Sequence, residues 1–466
     1  MKNIILFSAV FASAVCSAAL PKVSQVSMSQ DFTRTVTVKY YLAGAPAVIT
    51  LDVQTNSQNW ASIGGAALDK GTNATPNVQG AFVKVTADGW HEIKWQPLRS
   101  WGDAVRKFPA GEMRAVVKAW APDDTPDYMA VDLRESLPAG FGNRVRYYPS
   151  EDLVPGGVLS NEVYRRTTLL LRRIRAKNVP WTMGGTDWDA VSAYRAAEQR
   201  VSVTLDHDYY IGVFEITQQQ WQTVCGNNPS YYKVDGDMRP CDQVSYARLR
   251  EKTYDAAASD ENKLPDPAYA WPADPNPDSF LGKLRARADA GIDFDLPGDA
   301  QWEFAARAGL SEGYWNNGKI LRFPGANKTV NTLYGDDMPG RNQSNGGWLP
   351  GDTTYPPSTI GATNGTAIVG SYAPNAWGLY DMHGNLFEFC LDFYQEDVYL
   401  FCGRINANGT ADLNGNTMGE NCMRVRRSGC FHYAPTVCRF TVRDGCSQKD
   451  AYVTLGGRVA CRAGLK

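Results

Sequence analysis

The hydrophobic rhythm changes along the chain. In its first part, apolar and polar positions alternate with a period of two: residues 33–41 (TRTVTVKYY), 48–53, 90–95 (WHEIKW) and 113–120 (MRAVVKAW). Alternation turns one face of a segment inward, so these runs predict strands. Turn signals such as Ala87-Asp88-Gly89 and Pro109-Ala110-Gly111 stand between them. Short strands at this spacing predict a β-sandwich of immunoglobulin- or fibronectin-like kind over residues 20–135. Residues 136–175 read as a connector, rich in Pro and Gly at first (Leu137-Pro138-Ala139-Gly140, Val154-Pro155-Gly156-Gly157), that ends in a strand. That strand is 165–175 (RRTTLLLRRIR), where Thr167, Thr168 and the leucines favour β structure, the arginines sit at the ends in solvent, and Pro180 halts the segment.

From residue 176 to 466 the rhythm becomes helical in short pieces between long aromatic loops. Thr217 is placed to cap a helix that stops at Gly226. Ser245 is placed to open another, reaching about residue 258. Residues 299–308 (DAQWEFAARA) give a third, with Trp302, Ala305 and Ala306 on one face and Gly309 beyond its end. The long irregular stretch at 310–380 needs ions, disulfides or a function to hold it. The fold class expected is α+β.

The N-terminus has a different character. Met1-Lys2-Asn3 precedes a dozen apolar positions and then Cys16-Ser17-Ala18-Ala19. This is the layout of a signal peptide over residues 1–19, cleaved after Ala18 or Ala19. It implies export to the periplasm, cell surface or medium, and no later stretch is long and apolar enough to span a membrane. Composition adds exclusions. Among 466 residues, 47 Lys and Arg face 49 Asp and Glu, which speaks against nucleic acid as a partner. Only His91, His207, His383 and His432 are present, too scattered for a multi-histidine metal centre. Cysteine is the informative residue. There are 10, and seven lie between Cys390 and Cys461. Cys225 with Cys241, and Cys402 with Cys422, are the disulfide candidates; an odd number then remains after export.

Six blocks in order carry a family resemblance. They are 181–185 (WTMGG), 209–232 (YYIGVFEITQQQWQTVCGNNPSYY), Arg239-Pro240 with 243–246 (QVSY), 296–309 (LPGDAQWEFAARAG), 370–394 (GSYAPNAWGLYDMHGNLFEFCLDFY), and the pair 424–443 and 457–462. Residues 176–466 resemble the formylglycine-generating enzyme, or sulfatase-modifying factor, family, whose fold is related to C-type lectins. The resemblance implies oxidation of a sulfatase cysteine to formylglycine with oxygen and copper(I), held by two cysteines. The second copper cysteine falls on Cys438. The first falls on Tyr433, and a phenol does not replace a thiolate on copper(I). Cys430, eight residues before Cys438, is the alternative sulfur, which a turn would have to bring across. The tyrosine therefore speaks against copper and leans the reading away from an enzyme.

The resemblance also implies calcium. Asp381 and Glu388 would give carboxylates, Gly384 and Leu386 carbonyls, and Asn331 would belong to a weaker second site; all-oxygen ligation suits Ca²⁺. Three functions stay open. One is a binding or surface protein with a protein or glycan ligand, met by Phe387 and by Phe431, His432, Tyr433, Ala434, Pro435, Thr436 and Val437. Its variant is a variable protein of a diversity-generating retroelement, since some relatives randomise this region. The second is the oxidase, with a sulfatase as partner. The third is an adhesion protein with the β domain as spacer.

Overall fold

The computed structural model describes residues 20–69, 77–101, 111–137, 142–185, 198–251, 274–288, 291–311, 314–316, 319–321, 365–394, 423–431 and 437–464. The expected signal segment, Asn331, Cys402, Cys422, His432, Tyr433, Ala434, Pro435 and Thr436 lie outside the described residues.

The period-two runs become strands. Val36–Ala43 buries Val36, Val38, Tyr40 and Leu42, and Gly89–Trp95 buries Ile93 and Trp95, each on alternate positions. Together with Lys22–Gln30 and Val78–Gln79 they form a four-stranded sheet. A second sheet is centred on Ala47–Thr55, which pairs antiparallel with Met113–Trp120 over its full length. Val38, Tyr40 and Leu42 of the first sheet share one apolar cluster with Ile49, Leu51 and Val53 of the second. Lys22–Gln30 escaped the sequence pattern because it is a polar edge strand with both faces largely solvated.

A five-stranded antiparallel sheet then runs in the order Val145–Tyr148, Tyr128–Asp132, Thr168–Ile174, Tyr209–Gly212, Ala460–Arg462. The strand expected near 165–175 is present, but its arginines are not all at solvated ends. Arg173 lies inside it and is buried. Its guanidinium meets Asp208 at 2.7 Å and Asp124 at 2.7 Å, which offsets the desolvation. Arg172 lies over the ring of Tyr128.

The helices follow their caps. Gln218–Cys225 starts at Thr217 with a reciprocal box, Gln220 N donating to Thr217 Oγ1 (3.2 Å) and Thr217 N to Gln220 Oε1 (3.0 Å). It ends at Gly226, whose φ of 78° is left-handed. Ser245 caps Tyr246–Arg250. Asp299–Arg307 turns left-handed at Ala308, one residue before Gly309. Phe280–Arg287 was not foreseen; its Ser279 cap sits between prolines and charges that obscure the pattern. A further four-stranded sheet, Asp444–Ser447, Met423–Arg427, Phe387–Phe393 and Leu455–Gly456, carries the site. None of the helices among the described residues is long and apolar enough to cross a membrane.

Candidate functional site

The loop at 381–386 delivers the strand Phe387–Phe393, and it is built from unusual backbone. Asp381, Gly384 and Asn385 all have positive φ. The loop persists because its groups are tied on every side. Gly384 N donates to Ser428 O (2.8 Å), and Ser428 Oγ donates back to Gly384 O (2.9 Å). Asn385 Nδ2 and Leu386 N both donate to Glu215, at 2.6 and 3.0 Å. Phe431 N donates to Asn385 O (3.0 Å), fixing the end of the last cysteine-bearing loop to this one.

Three buried carboxylates meet here: Glu215, Asp381 and Glu388. Burial raises Glu215 well above the usual carboxylate range, and the neighbouring Asp381 and Glu388 charges raise it further. Burial likewise pushes Asp381 up to about 6. The cation that answers them is Arg458, itself fully buried. Its Nη2 lies 2.7 Å and its Nε 3.1 Å from Glu388 Oε1, and Trp302 Nε1 donates to Glu388 Oε2 at 2.7 Å. The remaining Arg458 hydrogens go to the carbonyls of Gly212, Val213 and Tyr380.

That arrangement bears on the expected calcium site. A calcium cage needs six to eight oxygens turned to one point. Both oxygens of Glu388 face Arg458 and Trp302, and Gly384 O accepts from Ser428. No group of three or more His, Cys, Asp or Glu among the described residues is disposed to hold a metal. Of the expected donors, Glu388 is committed to Arg458 and Trp302, and Gly384 O to Ser428. Among the described residues, Asp381 Oδ1 is left without a hydrogen bond, while its Oδ2 accepts from Gly370 N (2.7 Å).

Cys430 and Cys438 are both buried thiols. Cys438 Sγ donates to Cys430 O at 3.9 Å, and a Cβ on Gly429 would come within 2.7 Å of that sulfur. Burial pushes the Cys438 thiol up to about 12, so it stays protonated at neutral pH. His383 Nδ1 donates to Cys438 O (2.8 Å), and burial holds its imidazole down to about 4, hence neutral. The sulfur thus lies against the backbone of Gly429 and Cys430, and the neutral His383 ring holds the carbonyl of the same residue.

Three expected ligand contacts are buried. Phe387 belongs to the main apolar cluster, with Arg426 stacked 4.2 Å from its centroid. Phe431 is buried too, and so is Val437. What reaches solvent is a neighbouring turn that the sequence reading passed over. Tyr231 (66% exposed) packs edge-on against Tyr232, and Tyr232 edge-on against Phe431, with Val234 also exposed at 61%. Gly365 lies flat on the Tyr232 ring. The signal available was the pair Tyr231-Tyr232 in a turn bounded by Pro229 and Pro240. The cysteine expectation is also corrected: Cys225 and Cys241 are separate thiols, and Ser230 Oγ donates to Cys241 Sγ at 3.5 Å.

Fold and site together describe an α+β scaffold whose loops meet over a buried ion-pair cluster and a cysteine-bearing last segment. The chain belongs to the sulfatase-modifying factor enzyme 1-like domain family, whose model matches residues 174–463. It is similar to the formylglycine-generating enzyme of Thermomonospora curvata, 35% identical over 104 residues, which is 22% of this chain and 28% of that protein. To the enzyme of the same description from Streptomyces coelicolor it is 29% identical over 173 residues, covering 36% and 47%. To the chaperone protein LppX of Paenibacillus barcinonensis it is 29% identical over 197 residues, covering 41% and 65%. Each match spans less than two thirds of the relative. Among solved structures, PvdO from Pseudomonas aeruginosa is 17% identical with a TM-score of 0.41, covering 63% of this chain and 94% of that one. Treponema denticola variable protein 1 is 21% identical with a TM-score of 0.38, covering 64% and 96%.

Proposed function

We propose that the chain is an exported binding protein on this family's scaffold, without copper-dependent oxidase activity. One observation carries the reading: Cys438, the cysteine on which copper chemistry would depend, is a buried thiol whose sulfur is hydrogen-bonded to the Cys430 carbonyl and lies close against Gly429. Copper(I) is held by thiolate, and at neutral pH this thiol would have to lose both its proton and its cover. The turn at Tyr231, Tyr232 and Val234 then serves as the contact surface for a protein or glycan ligand, because it joins the last segment through Phe431 and presents aromatic area to solvent. Residues 20–121 space this surface from whatever the protein is attached to.

The test is incubation of the full chain with copper(I), oxygen and a peptide carrying a Cys-x-Pro-x-Arg motif. The expected result is no aldehyde by mass spectrometry and no tight copper(I) binding by competition with a chromogenic chelator. Aldehyde formed in proportion to enzyme, and lost in Cys438→Ser, overturns the reading.

A further inference from the structure

Behind the exposed Tyr231–Val234 turn stands Arg239, with no solvent exposure at all. Its Nε donates to Val234 O at 3.0 Å. Nη1 and Nη2 find no acceptor among the described residues. Among the described residues, every other fully buried arginine has a carboxylate within reach: Arg427 has Asp299 and Glu303, Arg443 has Asp299, and Arg458 has Glu388. Arg239 is the exception.

Its acidic neighbours act on it through space but give Nη1 and Nη2 no acceptor. Asp242 is close enough to act through space, but its oxygens are taken by Tyr231 N (2.7 Å) and Tyr232 N (3.4 Å). Asp235 also acts through space and is exposed on the turn. Asp237 pairs with Arg166. A guanidinium keeps its proton when buried, and an uncompensated buried charge is costly. A second unsatisfied group stands on the adjoining segment. Thr366 Oγ1 is buried without a partner among the described residues, and its segment is fixed to this one by Val369 N donating to Met238 O (2.9 Å) and by Gly365 on Tyr232.

We propose that Arg239 is the anchor of a carboxylate-binding site that takes one carboxylate of the protein's ligand. The chemistry follows from which hydrogens are free. With Nε held by Val234 O, the Nη1–Nη2 end remains, two parallel N–H donors at the spacing of a carboxylate's oxygens. Charge selects the anion. One guanidinium with Asp235 and Asp242 close by accepts a single negative charge better than the double charge of a phosphate. The carboxylate arrives past the exposed turn, whose own backbone positions the arginine. This names the chemistry of the ligand in the reading above and rests on that reading for the ligand's presence; the site itself is tested without it.

The experiment is thermal unfolding of the full chain at fixed ionic strength in sodium acetate, acetamide, sodium phosphate and sodium chloride. Acetate at saturation is expected to raise the midpoint by about 2–4 °C over chloride, with acetamide giving no shift and phosphate less than acetate. A short peptide with a free C-terminal carboxylate, set against its amidated form, tells whether a chain terminus also serves as source; a shift from acetate or from the free-acid peptide supports the site. Arg239→Gln is expected to abolish the shift. Should that variant not fold, the wild-type contrast of acetate against acetamide decides alone. Equal midpoints in acetate, acetamide and chloride with no shift from the free-acid peptide, or a larger shift in phosphate, overturn the proposal. Such a failure leaves the copper test untouched, and aldehyde formation there leaves the acetate result untouched.

Discussion

At the scale of single residues, the most consequential one is Arg458. It stands 70 positions after Glu388, yet the two form the pair that neutralises the loop at 381–388. Replacing Arg458 by Met keeps an unbranched apolar stem and removes the guanidinium with its charge. Glu388 and Glu215 would then be buried without a cation, and the carbonyls of Gly212, Val213 and Tyr380 would each lose one donor. Breaking a buried pair from one side costs about 3–5 kcal/mol. Arg458→Met is therefore expected to unfold at much lower urea than the wild type, with the same slope. Because the guanidinium already fills the cation's role, calcium and a chelator should give the same wild-type midpoint. A calcium-dependent rise that disappears in Glu388→Gln would show instead that the ion competes with Arg458. Two acids in an aromatic loop require a positive partner, which the sequence shows, and Arg458 is such a partner for Glu388. The partner is set by a contact between distant strands, and nothing local at Arg458 announces it.

At the scale of elements, local signals read well and long-range ones do not. Helix Gln218–Cys225 shows the first case. Thr217 caps it and also donates from Oγ1 to Arg165 O (2.9 Å), so one hydroxyl joins the helix start to the end of another segment. Thr217→Ala should lose about 1–2 kcal/mol, the upper end of an N-cap deletion, while Thr217→Ser keeps both bonds and most of the stability. Equal urea midpoints for Ala and wild type would mean that tertiary packing alone fixes this start. The cap, the left-handed Gly226 and the alternation of Met113–Trp120 are all written within a few residues, which is why they were legible. The burial of Phe431 and Phe387 was not. Each sits in a polar or mixed stretch, and each is covered by elements far away in sequence: Phe431 by Tyr232, Phe387 by Arg426 and the main cluster. The same blindness explains Arg173, which alternation alone placed among solvated arginines although Asp124 and Asp208 draw it inward.

At the scale of the whole molecule, the question is where one folding unit stops and the next begins. Composition put a boundary near residue 135, at the Pro- and Gly-rich stretch. The sheets place the strand Tyr128–Asp132 elsewhere: it lies between Val145–Tyr148 and Thr168–Ile174, the latter pairing onward to Tyr209–Gly212. The residues just before it are tied to the same sheet, since Tyr210 Oη donates to Thr125 Oγ1 (2.9 Å) and Arg173 reaches Asp124. Two truncations separate the alternatives. A chain beginning at residue 122 keeps the five-stranded sheet whole but loses the apolar partners that Tyr128, Ala130, Leu170 and Phe214 share with the first sheets, the Arg146–Asp69 ion pair and the hydrogen bond from Tyr147 N to Phe82 O. A chain beginning at residue 136 loses the strand itself, detaches Val145–Tyr148, and turns Thr168–Ile174 into an open edge. The first is expected to fold with a lowered, still cooperative thermal transition; the second is expected to aggregate or melt without cooperativity by circular dichroism. If both chains melted alike, the strand at 128–132 would be dispensable and the boundary read from composition would be the physical one. The difference matters for the proposed role, because a spacer that ends at residue 121 leaves the binding scaffold intact, whereas one that ends at 135 takes part of that scaffold with it.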